Sequence, residues 1–180
     1  MTATQYFSIM PSPIGDLLLL SDGDRLTGLH MQKQAHWSGM QPHWRRDDAC
    51  VREARTQLRA YFAEELRTFV LSLDLQGTDF QKRVWNELLR IPYGETISYG
   101  ELARRIAQPN ASRAVGLANG RNPVSIVVPC HRVVGANGTL TGYGGGLPRK
   151  RWLLDHERGV PRAWLALGSV QALDIVGSES

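Results

Sequence analysis

Short apolar stretches, each divided from the next by polar turn residues, make up the first part of the chain. Short runs of apolar and β-branched residues, bounded by proline, glycine and aspartate, are typical of strands separated by tight turns. This pattern predicts three antiparallel strands at Tyr6–Met10, Asp16–Ser21 and Leu26–Met31. We expect an irregular loop over residues 32–47, which are rich in Gln, His, Trp and Arg.

Helical spacing follows this loop, with apolar residues at Val51, Ala54, Leu58, Tyr61 and Phe62. The spacing predicts one amphipathic helix, and Asp47 or Asp48 is a suitable N-cap. A further strand is indicated at Phe69–Leu75. Together these elements predict a small α+β domain over residues 1–77, built from an antiparallel sheet and a helix.

Capping signals open a second, mainly helical unit. Gln81 follows Thr78, and Glu101 follows Ser98, at the three-residue spacing of a capping box. Pro109 ends the second of these helices. We therefore expect a helical domain over residues 78–160, and the tail that follows it, 161–180, shows no clear element.

A third short helix is predicted over Ala111–Asn119, with Asn110 as its cap and Gly120 as its C-terminal stop. Two short helices joined by a tight turn form a candidate helix-turn-helix. Such helix pairs are also common in globular proteins as purely structural features. Arg113 is its unusual member, since a long cation among small residues suits a nucleic-acid groove better than a protein core.

Cys130 is the residue with the clearest chemical potential. The apolar run Ser125–Val128 predicts a strand that leads into Pro129, Cys130 and His131. Neighbouring positive groups make a thiol more acidic, although a lone cysteine in an apolar strand is usually a small core residue. Adjacent side chains on a strand point to opposite faces, so His131 would need a bridging water or a local turn to act as a base.

Four signals follow the cysteine. Asn137-Gly138 predicts a hairpin turn, and Pro148 suits the first turn of a helix that runs to His156. Glu157 is either a solvated carboxylate at the end of that helix or the acid that orients an imidazole. Tyr143, beside three glycines, suits a core position and a phenol donor over a ligand equally well.

Composition and charge narrow the classes of protein. The 180 residues are 42% apolar and 21% charged, as in globular proteins, and the net charge of +4 fits a nucleic-acid partner without requiring one. The longest apolar runs are far shorter than the roughly 18 residues of a membrane span, and no signal peptide opens the chain. Two cysteines cannot form a disulfide framework, so we expect a cytoplasmic protein.

The run Ile126-Val127-Val128-Pro129-Cys130-His131-Arg132-Val133-Val134-Gly135 resembles the active-site signature of the O6-alkylguanine-DNA alkyltransferases, also called methylated-DNA–protein-cysteine methyltransferases. Motifs in the same family order are Ile91-Pro92-Tyr93-Gly94, Ser98-Tyr99-Gly100, Arg113-Ala114-Val115-Gly116, Asn122-Pro123, Thr141-Gly142-Tyr143-Gly144-Gly145-Gly146 and Lys150 through Glu157. The resemblance implies a ribonuclease-H-like N-terminal domain and a winged-helix-like C-terminal domain.

The resemblance also implies DNA repair by direct reversal. The alkyl group of O6-alkylguanine, with O4-alkylthymine as a second substrate, would move irreversibly to Cys130 in a single turnover and without a cofactor. The expected partner is double-stranded DNA that carries the lesion, and no membrane is involved. We expect a monomer, with cooperative binding along DNA as an open alternative.

Individual roles carry over by position. The resemblance implies that His131 activates Cys130 through a water and that Glu157 orients His131. Asn122 matches the asparagine that braces the turn of the cysteine, and Tyr143 matches the tyrosine that donates to guanine N3.

Two further groups of residues have implied roles. The main chain of Cys130 and Val133 matches the carbonyls that accept from the guanine amine, and the Gly144 amide matches the donor to O6. Arg113 matches the finger that replaces the flipped nucleotide, and Tyr99 matches the tyrosine that crowds its phosphate. The small face of the second helix, with Ala114 and Gly116, suits a minor groove about 6 Å wide.

Two other classes of function are alternatives to this interpretation. Alkyltransferase-like lesion sensors lack the cysteine, which Cys130 supplies here. A cysteine hydrolase would need an oxyanion site and has no use for a helix-turn-helix. Some family members bind zinc, but His30, His36, His43 and Cys50 are irregularly spaced, and we expect no metal.

Overall fold

The computed structural model describes residues 4–161 and residue 163. Its strands are β1 (Tyr6–Met10), β2 (Leu17–Ser21), β3 (Leu26–Met31), β4 (Arg45–Arg46), β5 (Ile97–Ser98) and β6 (Val133–Val134). Its helices are α1 (Arg52–Phe62), α2 (Asp79–Leu88), α3 (Tyr99–Arg105), α4 (Ser112–Gly120) and α5 (Leu147–Glu157), with a turn of 3-10 helix at Cys130–Arg132. The tail considered above lies outside the described residues, apart from positions 161 and 163.

The N-terminal sheet is built around β2, and its strand order is β3-β2-β1-β4. β1 and β3 pair with β2 in antiparallel register, whereas β4 joins β1 in parallel over two residues. Every residue of β2 is buried, so this strand is covered on both faces. The three predicted strands are confirmed. The expected loop over 32–47 contains β4, which the sequence did not reveal because two exposed arginines carry no strand pattern.

Helix α1 presents its apolar stripe to the same core as β2. The predicted caps are wrong, because the helix begins after Val51 and has no side-chain cap. Asp47 instead accepts a hydrogen bond from the Ala49 N–H, and Asp48 pairs with Arg55 at 3.0 Å. A local turn and an ion pair thus use the two carboxylates that could have capped the helix.

The predicted strand Phe69–Leu75 is wrong in extent. The segment forms one isolated parallel bridge, between Leu73 and Leu26. The Leu26 N–H donates to the Ser72 carbonyl at 2.9 Å, and the Asp74 N–H donates to the Leu26 carbonyl at 3.0 Å. Apolar alternation alone therefore overestimated a segment that touches the sheet at a single residue.

The capping box of α2 is confirmed. Thr78 Oγ1 accepts from the Gln81 N–H at 3.2 Å, and Gln81 Oε1 accepts from the Thr78 N–H at 2.9 Å. At α3 only half of the box forms, because Ser98 Oγ accepts from the Glu101 N–H while the Glu101 carboxylate binds two arginines of its own helix. Both helices nevertheless begin where the sequence predicts.

Helices α2, α3 and α4 pack together as the centre of the C-terminal part. The indole N–H of Trp85 donates to the Ala118 carbonyl at 2.8 Å and ties α2 to α4. Asn110 is not the cap of α4, because that helix begins after Ala111 without a side-chain cap. The Ala111 N–H bonds the Gln108 carbonyl at 2.9 Å, so a turn occupies the place of the predicted cap.

The last elements are mostly as expected. Gly138 has a φ of +79°, and its N–H bonds the Gly135 carbonyl at 2.9 Å, which confirms a turn at Asn137-Gly138. Among the described residues, no strand after the turn pairs with β6, which pairs in parallel with β5 instead, so the hairpin itself is wrong. Helix α5 opens with Pro148 in its first turn, as predicted.

The predicted α+β architecture is confirmed: a sheet with one helix is followed by a mainly helical part. One hydrophobic cluster runs through both parts and includes Leu19, Leu58, Val84, Val128 and Leu153. The domain boundary at 77/78 stays a prediction. Among the described residues, no helix is long and apolar enough to cross a membrane.

Candidate active site and nucleic-acid interface

Cys130 lies at the start of the 3-10 turn, and only 3% of its surface is exposed. Burial raises the pKa of its thiol, whereas the Asn122 amide and the positive charge of Lys150 act in the opposite direction. A buried thiol therefore needs a base or a nearby cation to become a thiolate. The local environment supplies both kinds of group.

The chain before the cysteine turns sharply, so the predicted strand at Ser125–Val128 is wrong. Ile126 adopts a φ of +73°, which an L residue adopts only when its surroundings enforce it. Asn122 holds this turn from both sides: its Nδ2 donates to the Val128 carbonyl at 2.7 Å, and its Oδ1 accepts from the Val124 N–H at 3.0 Å. The asparagine is buried and braces the turn that carries Cys130.

His131 is fully buried and points at Glu157, with 2.7 Å between Nε2 and Oε1. Burial lowers the pKa of the imidazole, although the carboxylate opposes this shift, so the ring is neutral at neutral pH. An ionised carboxylate only accepts hydrogen bonds, so Nε2 carries the ring proton and Nδ1 is an acceptor. Nδ1 is buried and has no hydrogen-bond partner among the described residues.

The Glu157 carboxylate is held by five hydrogen bonds. Oε1 accepts from Tyr61, His131 and Arg132, at 2.8, 2.7 and 3.0 Å, and Oε2 accepts from Arg132 and the Gly94 N–H, at 2.9 and 3.1 Å. Burial alone raises the pKa of this carboxyl, but His131 and Arg132 outweigh burial and hold the pKa well below its usual range. The carboxylate is therefore ionised and fixed in orientation.

The structure thus brings Asn122, Cys130, His131 and Glu157 into one buried cluster. No direct hydrogen bond joins the Cys130 thiol to His131 in the part of the chain that is described. A 3-10 turn spaces successive side chains by about a third of a turn, so the two point in different directions. Any proton transfer between them requires an intermediate group.

Tyr143 and Gly144 lie on the loop before α5, facing the N-terminal part. The Tyr143 hydroxyl contacts Met31 Sδ at 3.9 Å, and burial raises the pKa of the phenol well above its usual value, so it remains a donor. The Gly144 carbonyl accepts from the Ala35 N–H at 2.8 Å. A Cβ at Gly145 would lie 2.5 Å from Met31 Sδ, so any other residue there would force the Met31 side chain to shift.

Lys150 is a buried cation that sequence reasoning left without a role. Its Nζ donates to the Thr141 carbonyl at 2.7 Å and lies 5.8 Å from the centroid of the Tyr99 ring. Burial lowers the pKa of this ammonium to about 8, although the charge of Cys130 opposes the shift. Its position three residues before the buried Leu153, on the inner face of α5, was the available signal.

Helix α4 connects the reactive turn to an exposed surface. Asn119 Nδ2 donates to the Cys130 carbonyl at 3.3 Å, while Arg113 and Ala114 are exposed. Arg113 makes no hydrogen bond or ion pair with the other described residues. Gly116 is half-buried, and a Cβ there would lie 3.7 Å from the Tyr99 ring.

Two further features complete this surface. The Tyr99 hydroxyl donates to the Thr141 carbonyl at 2.9 Å, which links α3 to the loop of Tyr143. Leu117 is 61% exposed one turn beyond Arg113, an exposed apolar side chain that sequence reasoning did not single out.

The region considered for zinc contains no cluster of ligands. Within the described residues, no group of three or more His, Cys, Asp or Glu side chains could hold a metal ion. His30 stacks on Trp37 with 5.6 Å between ring centroids, and the Cys50 thiol donates to Asp47 at 3.3 Å. The Cys50 thiol is thus hydrogen-bonded within the protein, and His30 packs on an aromatic ring while its buried Nδ1 has no hydrogen-bond partner among the described residues.

The fold and this site define a class of protein. A buried cysteine beside a neutral imidazole and an aligned carboxylate is a candidate nucleophile. Helix α4, which is hydrogen-bonded to the main chain of that cysteine, belongs to a helix pair with an exposed surface suited to nucleic acid. The chain belongs to the 6-O-methylguanine DNA methyltransferase family: the model of the family's ribonuclease-like domain matches residues 5–75, and that of its DNA binding domain matches residues 79–159. The resemblance seen in the sequence is confirmed.

Individual relatives agree with the family assignment. A methylated-DNA–protein-cysteine methyltransferase of Mycobacterium bovis is 54% identical over 162 residues, which cover 90% of this chain and 98% of the relative. The protein of the same name from Methanosarcina acetivorans is 52% identical over 152 residues, 84% of this chain and 97% of its own. The crystal structure of Mycobacterium tuberculosis OGT in complex with DNA superposes with a TM-score of 0.81 at 55% identity, covering 86% of this chain and 93% of that one.

Proposed function

We propose that this chain repairs alkylated DNA by direct reversal, moving the alkyl group from guanine O6 to Cys130 in a single turnover. One observation carries the proposal: a buried thiol lies beside a neutral imidazole that an ionised carboxylate orients. The names of the relatives at 52–54% identity support the same activity. We propose O4-alkylthymine in DNA as a second substrate.

The proposed transfer begins with the thiol proton. One water passes this proton from Cys130 to Nδ1 of His131, the buried acceptor without a partner among the described residues. Glu157 stabilises the imidazolium that forms. Lys150 adds a buried positive charge near the sulfur.

The bond exchange then conserves atoms and electrons. The sulfur lone pair forms the new carbon–sulfur bond as the bond between carbon and guanine O6 breaks, and its electron pair stays on the purine. The purine takes up one proton, so the thiol proton is in effect exchanged for the alkyl group. Tyr143 donates to guanine N3 and the Gly144 N–H donates to O6, while the Cys130 and Val133 carbonyls accept from the exocyclic amine.

We further propose that α3 and α4 bind the DNA minor groove. The exposed Arg113 and Ala114 and the small Gly116 support this placement, because a groove about 6 Å wide excludes bulky side chains. Arg113 enters the stack where the target nucleotide leaves it, and Tyr99 crowds the phosphate of that nucleotide. The relative from Mycobacterium tuberculosis was crystallised in complex with DNA, which supports DNA as the partner.

We place the activity in the cytoplasm, with a monomer as the working unit. Cys50 and Cys130 are both free thiols, and a protein that consumes a thiol fits a reducing compartment. We base the cytoplasmic location and the monomeric state on the proposed transfer reaction and not on any separate feature of the fold.

Stoichiometry tests the proposed function. Mixing the protein with a DNA duplex that contains one O6-methylguanine should add about 14 Da to the peptide of Cys130, whose thiolate is the nucleophile. A thioether gives water no leaving group, so one molecule should repair one lesion and stop. Intact-protein and peptide mass spectrometry measure both quantities. Repair of several lesions per molecule, or an unmodified Cys130, would contradict the proposal.

Arg113→Ala should slow repair of duplex DNA by about 10- to 100-fold, because supporting a flipped nucleotide is worth a few kcal/mol. Transfer from free O6-benzylguanine should be unchanged, since a free base needs no flipping. Single-turnover rate constants on the two substrates make the comparison. Arg121→Ala is the matched control, because it removes another exposed positive charge, just beyond the end of α4. Equal losses on both substrates would assign Arg113 a structural role.

A further inference from the structure

Tyr61 is a fully buried phenol of the N-terminal part whose hydroxyl reaches the active site. Its Oη donates to Oε1 of Glu157 at 2.8 Å, across 96 positions of sequence. Tyr61 lies in the segment that matches the ribonuclease-like domain, and Glu157 lies in the segment that matches the DNA binding domain. This hydrogen bond therefore joins the two parts of the fold at the carboxylate that orients His131.

The Tyr61 side chain has little freedom to turn away. Its ring contacts a set of aromatic neighbours, Phe62, Phe69, Tyr93 and His156. Its main-chain carbonyl also accepts from His156 Nε2 at 2.9 Å, so one residue holds α5 at two consecutive positions. The packing of the Tyr61 ring against these neighbours thereby holds its hydroxyl against Glu157.

We propose that Tyr61 is a positioning residue for alkyl transfer, through which the N-terminal part of the fold sets the orientation and the proton affinity of the carboxylate that holds His131. The inference rests on the proposed function, since it assigns a role within the same reaction. Tyr61 acts through Glu157 and His131 and contacts neither DNA nor the reacting atoms.

The physical reason lies in the shared oxygen. Oε1 accepts from Tyr61 and from His131, so each donor draws on the same negative charge. Without the phenol, the carboxylate becomes a stronger acceptor and stabilises a protonated His131 more strongly. The imidazole then loses its proton at a higher pH, and the thiol is activated at a higher pH as well.

Other charged and titratable groups around this pair stay in place when the phenol is removed. They are Arg132 beside both groups, Tyr93 after α2, Tyr143 on the loop before α5, and His156 and Lys150 on α5. Burial and then the charge of Glu157 raise the pKa of Tyr61 well above its usual value, so its hydroxyl remains a donor throughout the working range of pH. A change in the pH profile on removing the hydroxyl therefore reports this one hydrogen bond.

Tyr61→Phe tests the inference. We measure transfer from free O6-benzylguanine to Cys130 by intact mass, in wild type and variant, between about pH 5.5 and about pH 9. The acid limb of the profile should move to higher pH by roughly half a unit, which lowers the rate on that limb about threefold, while the rate at neutral pH, where His131 is already neutral, should change little. The proton on His131 Nε2 should also change its NMR chemical shift, which a loss of packing alone would not produce in step with the pH profile.

Tyr93→Phe is the matched control. It removes a phenol hydroxyl from the ring next to Tyr61, at 6.1 Å between centroids, and that hydroxyl makes no hydrogen bond with the other described residues. Its profile should coincide with that of wild type. Should Tyr61→Phe melt too low to assay, 3-fluorotyrosine at position 61 keeps the ring and strengthens the donor, and it should move the acid limb to lower pH.

The outcomes separate the two levels of the hypothesis. Wild-type protein that never gains an alkyl group at Cys130 would overturn the proposed function itself. Wild-type transfer with an unchanged profile in Tyr61→Phe, or with no shift in the fluorotyrosine protein, would overturn the role of Tyr61 alone.

Discussion

Cys130→Ser is expected to abolish alkyl transfer, with a rate at least roughly 10³-fold below wild type, while binding to duplex DNA changes by no more than about twofold. A serine hydroxyl is far less acidic than a thiol, so the neutral His131 cannot generate the anion that attacks carbon. Binding should survive because the Cys130 side chain is almost wholly buried and offers little surface to DNA. Methyl transfer is measured by mass, and binding is measured by fluorescence anisotropy.

Cys50→Ser is the control for this experiment. Cys50 is the other cysteine of the chain, and its thiol already donates to Asp47. Burial and the Asp47 carboxylate both raise the pKa of that thiol, which makes it a poor nucleophile. The control should transfer at the wild-type rate. Residual transfer in Cys130→Ser that disappears in the double variant would reassign the acceptor to Cys50.

Local patterns predicted the elements whose determinants lie close together in sequence. The three strands follow from short apolar runs between turn residues, and the start of α2 follows from the reciprocal bonds of Thr78 and Gln81. Pro148 likewise marked the first turn of α5. In each case the residues that decide the structure are within a few positions of one another.

Competing local interactions account for the failed helix caps. Asp48 and Asn110 have side chains suited to capping, yet Asp48, which precedes α1, pairs with Arg55 of that helix, and α4 begins after Ala111. Both alternatives satisfy polar groups about as well as a cap does. A sequence contains both possibilities, and only packing decides between them.

The reactive turn shows why an apolar run is ambiguous. Ser125–Val128 has the composition of a buried strand, but Asn122 binds the main chain on both sides of the bend and Ile126 takes a left-handed φ. These contacts turn the chain into the 3-10 helix of Cys130. The chain does make a local turn at Cys130, but that turn does not join the thiol to His131 directly, so the proposed proton transfer still needs the bridging water.

Long-range contacts could not be read from spacing at all. Glu157 was equally compatible with a solvated helix end until the structure placed it against His131, 26 positions away. Lys150 and Tyr61 are buried polar side chains whose partners come from other parts of the chain. The family resemblance suggested the first pairing, and no local pattern indicated the contact of Tyr61 with the carboxylate.

Glu157→Gln is expected to cost both activity and stability. The glutamine amide is neutral and keeps only one of the two accepting oxygens. Arg132 therefore loses its ionised partner in a site where both side chains are almost inaccessible to solvent. Breaking a buried ion pair costs about 3–5 kcal/mol, which should lower the melting temperature by roughly 10 °C in a chain of this size. Transfer should slow at least about 100-fold, because His131 loses the group that fixes its tautomer and stabilises its protonated form.

The stability difference between wild type and Glu157→Gln should also depend on pH. The pKa of Glu157 is lowered on folding, so its contribution to stability is fully present above its ordinary value of 4.5 and is lost as the pH falls through the folded-state pKa. The difference in stability between wild type and Glu157→Gln should therefore be constant near neutral pH and narrow in strong acid. Glu101→Gln is the control: it removes a partly exposed carboxylate that binds Arg104 and Arg105, and it should change stability by less than about 1 kcal/mol. Equal melting temperatures for the two variants would mean that the buried carboxylate does not hold the site together.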